Sequence, residues 1–261
     1  ARLSGRASLC DAGTFNLQAS SGLFFDGQID GHGGAPEARG GRFLLAIKRP
    51  PQGTSFNEAP LFIQQSGWMA PVGFDPFAEK APGAGDGGDM RFAVDRLKDT
   101  GLDDILIGRS EASEDDTIMP ANIVFAGDVD LRANRSIQIQ ANALSTSGLV
   151  ARLVPSSQSI PDGGNVTIVA PYVSLLSRET RKPPVQVAGE GSLSVDADFI
   201  DIGGQLSLAG IRSTSFRSSG DIRFTAPFSG STGWLYSTGD IDFTGTRVYP
   251  ATSYRFLIDA T

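Results

Sequence analysis

Apolar and polar residues alternate along this chain in short bursts, and the bursts open on glycine. The word glycine, any residue, large apolar, any residue, large apolar occurs eight times. It reads Gly-Thr-Phe-Asn-Leu from Gly13, Gly-Arg-Phe-Leu-Leu from Gly41 and Gly-Asp-Val-Asp-Leu from Gly127. It returns as Gly-Asn-Val-Thr-Ile from Gly164, Gly-Ser-Leu-Ser-Val from Gly191, Gly-Gln-Leu-Ser-Leu from Gly204, Gly-Asp-Ile-Arg-Phe from Gly220 and Gly-Asp-Ile-Asp-Phe from Gly239. A two-residue period marks a strand that turns one face inward, and the glycine marks the turn feeding it. Further alternating segments lie between the words, such as Ser136–Gln140 and Phe199–Ile202.

The last five words start 27, 13, 16 and 19 residues apart. Blades and helical repeats hold a tighter period, whereas a coil of three short strands lets each loop grow independently. The hairpin dipeptides that would mark a sandwich or barrel do not recur at regular intervals. The pattern therefore predicts an all-β chain wound as a right-handed parallel β-helix of roughly ten coils, at about 20 residues per coil. Val129, Leu131, Ile137, Ile139, Val166, Ile168, Leu193, Val195, Leu206, Leu208, Ile222, Phe224, Ile241 and Phe243 are expected to form one apolar spine. One short helix is expected over Arg91 to Asp99, with Gly101 as its stop.

Residues 49–90 break the pattern. They hold Pro50, Pro51, Pro60, Pro71, Pro76 and Pro82 and end in a glycine-rich run. Proline cannot donate to a strand ladder, so this stretch is expected to leave the body as an insertion, between first coils in 1–48 and the main helix in 91–261. Its aromatics Phe62, Trp68, Phe74 and Phe77 either close a small core or offer a binding surface, since loops on rigid scaffolds carry recognition. Smaller excursions are expected at Glu111–Thr117 and Ser156–Asp162.

Gly makes up 32 of 261 residues, but 40% of the chain is hydrophobic and the formal charge is only −7, so it is turn-dense rather than disordered. That charge disfavours nucleic acid and anionic membranes as partners. The longest apolar run, Phe43–Ile47, is too short to span a bilayer. The start has neither a charged nor an apolar leader region, so a processed or internal segment of a larger chain is expected. Cys10 is the only cysteine and His32 the only histidine. Together they cannot make a zinc site, and no catalytic residue, metal or cofactor is expected.

Several stretches resemble the large filamentous-haemagglutinin-like exoproteins of Gram-negative bacteria, exported by two-partner secretion. They are Gly101–Gly108, Ile123–Ala141, Gly163–Leu175 and the closing Arg247-Val-Tyr-Pro-Ala-Thr. The resemblance implies a secreted or surface-attached fibre for adhesion or biofilm formation. Its partners would be neighbouring coils of the same parent chain, an outer-membrane transporter during export, and a host receptor or glycan. The alternative is a polysaccharide lyase or hydrolase on the same scaffold. That reading needs two carboxylates about 5–9.5 Å apart in a groove. Asp128, Asp130, Asp196, Asp198, Asp221, Asp240 and Asp242 are the candidates if stacking lines them up.

Overall fold

The computed structural model describes residues 10–19, 23, 25–48, 60–67, 90–108, 117–118, 120, 122–146, 163–177, 188–226 and 231–260. The chain is all-β and builds three parallel sheets, with strands numbered in chain order. Sheet I stacks β1 (Thr14–Ala19), β2 (Gly41–Lys48), β5 (Leu102–Gly108), β9 (Ser136–Gln140), β12 (Tyr172–Leu176), β14 (Phe199–Gly203), β17 (Asp221–Thr225) and β20 (Arg247–Pro250). Sheet II stacks β4 (Met90–Ala93), β3 (Leu61–Gln64), β7 (Asn122–Ala126), β10 (Ala143–Ser145), β15 (Gln205–Ala209), β18 (Thr232–Ser237) and β21 (Arg255–Ala260). Sheet III stacks β8 (Val129–Arg132), β11 (Asn165–Val169), β13 (Gly191–Ala197), β16 (Ile211–Ser218) and β19 (Asp240–Thr244). The short β6 (Thr117–Ile118) pairs with the end of β2 as the one antiparallel ladder among the described residues.

From β14 onward the chain visits sheets I, II and III in strict rotation, an arrangement consistent with a β-helix-like fold. Equivalent residues in sheet I, Val173, Ile200, Ile222 and Val248, are 27, 22 and 26 positions apart. The glycine words do not mark one face: they open β1, β2 and β17 in sheet I, β15 in sheet II, and β8, β11, β13 and β19 in sheet III. Their uneven spacing follows, because a word marks a corner of the winding and any of the three corners can carry it. Sheet I holds eight parallel strands among the described residues.

Strand alternation aims one row of each sheet at the axis. In sheet I, Phe43, Ile105, Ile137, Val173, Ile200 and Ile222 are register partners across successive strands, and each is buried. Burying each such side chain contributes about 1.5–3 kcal/mol, repeated at every turn. Twelve of the fourteen expected spine residues are buried, while Ile241 and Phe243, in the last turn, are half-buried. Thr214 replaces an aliphatic residue in the spine of sheet III, and its hydroxyl has no hydrogen-bond partner.

Two departures reshape sheet II. β3 precedes β4 in sequence but lies inside it, paired with β4 on one side and β7 on the other. Farther along, β10 pairs directly with β15, so the turn carrying β12 and β13 contributes no strand between them. The stretch 49–90 is therefore not wholly outside the body. Pro60 stands just before β3, where a missing N–H costs the ladder nothing. The expected helix at Arg91–Asp99 is replaced by β4 and a single 3-10 turn, Val94–Leu97. Pairing of Met90–Ala93 with β3 outweighs their weak helical pattern. That turn occupies the sheet III position beneath β8, and the Gln65 side-chain carbonyl accepts the Asp130 N–H at 2.7 Å, satisfying part of the β8 edge.

Candidate functional site

The outer face of sheet I concentrates charged and aromatic side chains. Parallel register sets residues on neighbouring strands side by side, about 4.8 Å apart. One outward row runs Arg42, Asp104, Ser136, Tyr172, Phe199, with Asp221 and Arg247 continuing it. The next row runs Gln138, Ser174, Asp201, Arg223, Tyr249. The intervening residues point inward to the spine. The second row begins with Leu44 and Leu106, which are buried, as is Ser174, while Arg42, Tyr172, Phe199, Arg223, Arg247 and Tyr249 keep surface in contact with solvent.

Each of three aspartates is clasped by an arginine. Arg223 Nε donates to Asp201 Oδ1 at 2.6 Å and Nη2 to Oδ2 at 2.7 Å, while the Tyr172 hydroxyl donates to Oδ2 at 2.8 Å. Arg247 reaches Asp221 through the same two nitrogens, its Nε at 3.0 Å. Arg135, at the turn before β9, donates its Nε to Asp104 Oδ1 at 2.9 Å and its Nη2 to Oδ2, and the Ser136 hydroxyl adds a bond of 2.6 Å. The carboxylates lie at the base and the guanidiniums on top. Side-chain exposures are 12%, 6% and 11% for Asp104, Asp201 and Asp221, against 54%, 41% and 71% for their arginines. The rings are interleaved, with the Arg223 guanidinium 5.2 Å from the Phe199 ring centre and that of Arg247 5.6 Å from Tyr249.

Burial works against charge on Asp104, but the bonds from Arg135 and Ser136 outweigh it and hold its carboxyl below the usual range. Hydrogen bonding from Arg247 does the same for Asp221. Burial, reinforced by its bond to Asp201, pushes Tyr172 up to about 12. A group whose ionisation is delayed by folding stabilises the fold below its ordinary value near 10, and that contribution fades as pH climbs towards 12. Stability of the protein is therefore expected to decline over that window, and Tyr172→Phe to flatten the decline. Denaturant midpoints measured across the window test this, and equal slopes in the two proteins would contradict it.

The seven expected outward carboxylates do not stack into a catalytic column. In sheet III, Asp130 opposes Thr167, Asp196 sits between Val169 and Arg217, and Asp240 and Asp242 oppose Ser213 and Ser215. Asp128 accepts the Asn165 backbone N–H at 2.7 Å, and Asp198 accepts the Ser219 hydroxyl at 2.7 Å. Separating like charges by Ser, Thr or Arg avoids the repulsion of carboxylates on adjacent strands.

Among the expected binding aromatics, Phe62 is in β3, with no exposed surface, beside Val124 and under the Arg91 guanidinium at 4.6 Å. It is packing, not a presented contact. Trp68, Phe74 and Phe77 lie outside the described residues, as do 111–116 and 156–162 of the two smaller excursions. His32 is exposed, its Nδ1 2.8 Å from Asp30, and Cys10 is exposed as well. Among the described residues, no three His, Cys, Asp or Glu side chains converge on a metal position. A concavity of about 540 Å³ lies between the 3-10 turn and β8, lined by Val94, Leu97 and Val169 together with Lys98, Asp130 and Arg132.

The Asp–Arg pairs escaped the sequence reading, although one signal was present. Aligning Ile200-Asp201-Ile202 with Ile222-Arg223-Phe224 sets aspartate opposite arginine. Comparison with protein-family models, with curated proteins and with solved structures finds no match.

Proposed function

We propose that this chain is a right-handed parallel β-helical segment of a large bacterial exoprotein, secreted or held at the outer surface. In that role it is a rigid column that spaces and displays binding surfaces. The observation that carries this reading is the continuous apolar spine enclosed by three parallel sheets, a design in which each turn supports the next and length is gained by repetition. The resemblance to exoproteins of two-partner secretion agrees with it, and export through an outer-membrane transporter belongs to the same proposal. No α-helix among the described residues is long and apolar enough to cross a membrane.

The carboxylates support a display role over hydrolysis. Asp104, Asp201 and Asp221 each hold an arginine through two bonds, which leaves none of them as a free acid or base for glycoside cleavage. The test is to coat the purified chain on microspheres, measure their retention on cell layers and on abiotic surfaces, and assay polysaccharides for new chain ends. Retention with every polymer left intact is the expected result. Polymer cleavage, or no retention on any surface, would overturn the reading.

A further inference from the structure

We propose that the outer face of sheet I is a binding stripe for a linear, carboxylate-bearing polysaccharide lying along the stack. This rests on the reading of the chain as a non-catalytic display column and names what that column holds. The molecule carries a formal charge of −7, yet this face shows solvent its guanidiniums and keeps their carboxylates underneath. A polyanion approaching here meets positive charge first.

The arginines are also oriented for a ligand. In Arg135, Arg223 and Arg247 alike, Nε and Nη2 are the atoms that hold aspartate. Nη1 has no hydrogen-bond partner among the described residues and the three side chains are 54%, 41% and 71% exposed, so the Nη1–Nη2 edge of each guanidinium is open to a ligand. That edge presents two parallel N–H donors, which match the two oxygens of a carboxylate. Because the buried aspartate fixes the guanidinium plane beforehand, less side-chain freedom is lost on binding.

The spacing suits a chain rather than a single small anion. From Asp104 on β5 to Arg247 on β20 the stripe crosses five strand intervals, roughly 24 Å at about 4.8 Å each. Tyr172 and Phe199 lie between Arg135 and Arg223, Tyr249 lies beside Arg247, and all three offer partly exposed ring surface to sugar C–H faces. At the β5 end an open groove of about 430 Å³ is lined by Arg42, Asp104, Arg135, Ser136, Gln138 and Tyr172. Asp104 is held there by Arg135 and Ser136, which leaves Arg42 and Gln138 as the groove's further donors. Nucleic acid fits less well, since its affinity comes from many phosphate contacts with a broadly basic surface.

The test uses the whole chain with polygalacturonate, and with its fully methyl-esterified form as an uncharged match, in titration calorimetry. Polygalacturonate is expected to bind and to weaken as salt is raised, and the ester not to bind. Arg223→Lys and Arg247→Lys keep the charge over each aspartate but lose the outward fork. Each is expected to weaken binding at least about tenfold, through loss of the fork's paired charge-assisted hydrogen bonds, while a far-UV circular dichroism spectrum matching that of the parent chain shows that the fold is kept. Three results would overturn the stripe: no binding of an intact polymer, equal binding of the ester, dextran sulfate or duplex DNA, or full affinity in both lysine variants. Shortening of polygalacturonate during the titration would instead overturn the display reading, and viscosity separates that outcome from the others.

Discussion

Replacing Gly204 by alanine is expected to destabilise the protein by about 4 kcal/mol or more, an effect at the extreme of single substitutions. Gly204 turns the corner from β14 to β15 with φ +77°, in the left-handed region where an L-residue costs roughly 1–2 kcal/mol. The larger part is steric. A Cβ there would stand 1.3 Å from the carbonyl oxygen of Ser177, at the corner of the neighbouring turn. That contact cannot be relieved by a rotamer change, because the obstructing atom is backbone. Moving it disturbs a continuous corner ladder, in which the Gly204 N–H donates to Thr225 at 3.0 Å and its carbonyl accepts from Trp234 at 2.7 Å. Gly13→Ala is the control. It opens the same word in the sequence, but a Cβ there meets nothing within 4 Å, and no measurable loss is expected. Urea midpoints of the two variants decide the matter, and a Gly204→Ala protein as stable as the Gly13→Ala protein would contradict the corner geometry.

The second large effect is expected at Phe216. It is wholly buried in β16, opposite Val195 on one side and Phe243 on the other, with the Phe243 ring stacked at 5.3 Å. Phe216→Ala removes atoms from the middle of the spine, where neighbouring turns cannot collapse into the gap, and costs about 3–5 kcal/mol. Phe243→Ala, one turn farther along the same column, is expected to cost about 1–2 kcal/mol, because Phe243 keeps part of its surface in water. The ratio between the two carries the claim. It follows from position in the stack, since both residues are phenylalanines in the same sheet and row. Equal losses in denaturant melts would mean that the last turn is as enclosed as the interior, which the 45% exposure of Val248 and 41% of Ile258, both in line with the spine, contradicts.

Legibility in the sequence differs from element to element. Val129, Leu131, Val166 and Ile168 were readable as inward residues because side-chain direction along a strand depends on counting by twos and on nothing distant. The helix expected at Arg91–Asp99 failed where counting was weakest, in a stretch whose strand pairing with β3 is a tertiary fact. Phe62 was misplaced for a related reason. Proline density around it suggested an excursion, but Leu61–Gln64 contains no proline and its backbone was free to pair with β7. The charged face was hidden differently. Asp201 and Arg223 each look like an ordinary solvated residue until β14 and β17 are placed in register, and register is a property of two strands together.

Taken alone, the amino-acid sequence determined that strands form, where many of them begin, and which of their side chains turn inward, because alternation and glycine turns act over a few residues. It did not determine which of three sheets each strand joins or which turns are its neighbours. Those assignments rest on parallel pairings between residues 20 to 64 positions apart, and the same glycine word serves every face equally well. Only the packed structure set β3 between β4 and β7, joined β10 to β15, and brought three aspartates beneath three arginines. Backbone hydrogen bonds are indifferent to which strand supplies them, so the choice fell to the fit of the whole stack around its spine.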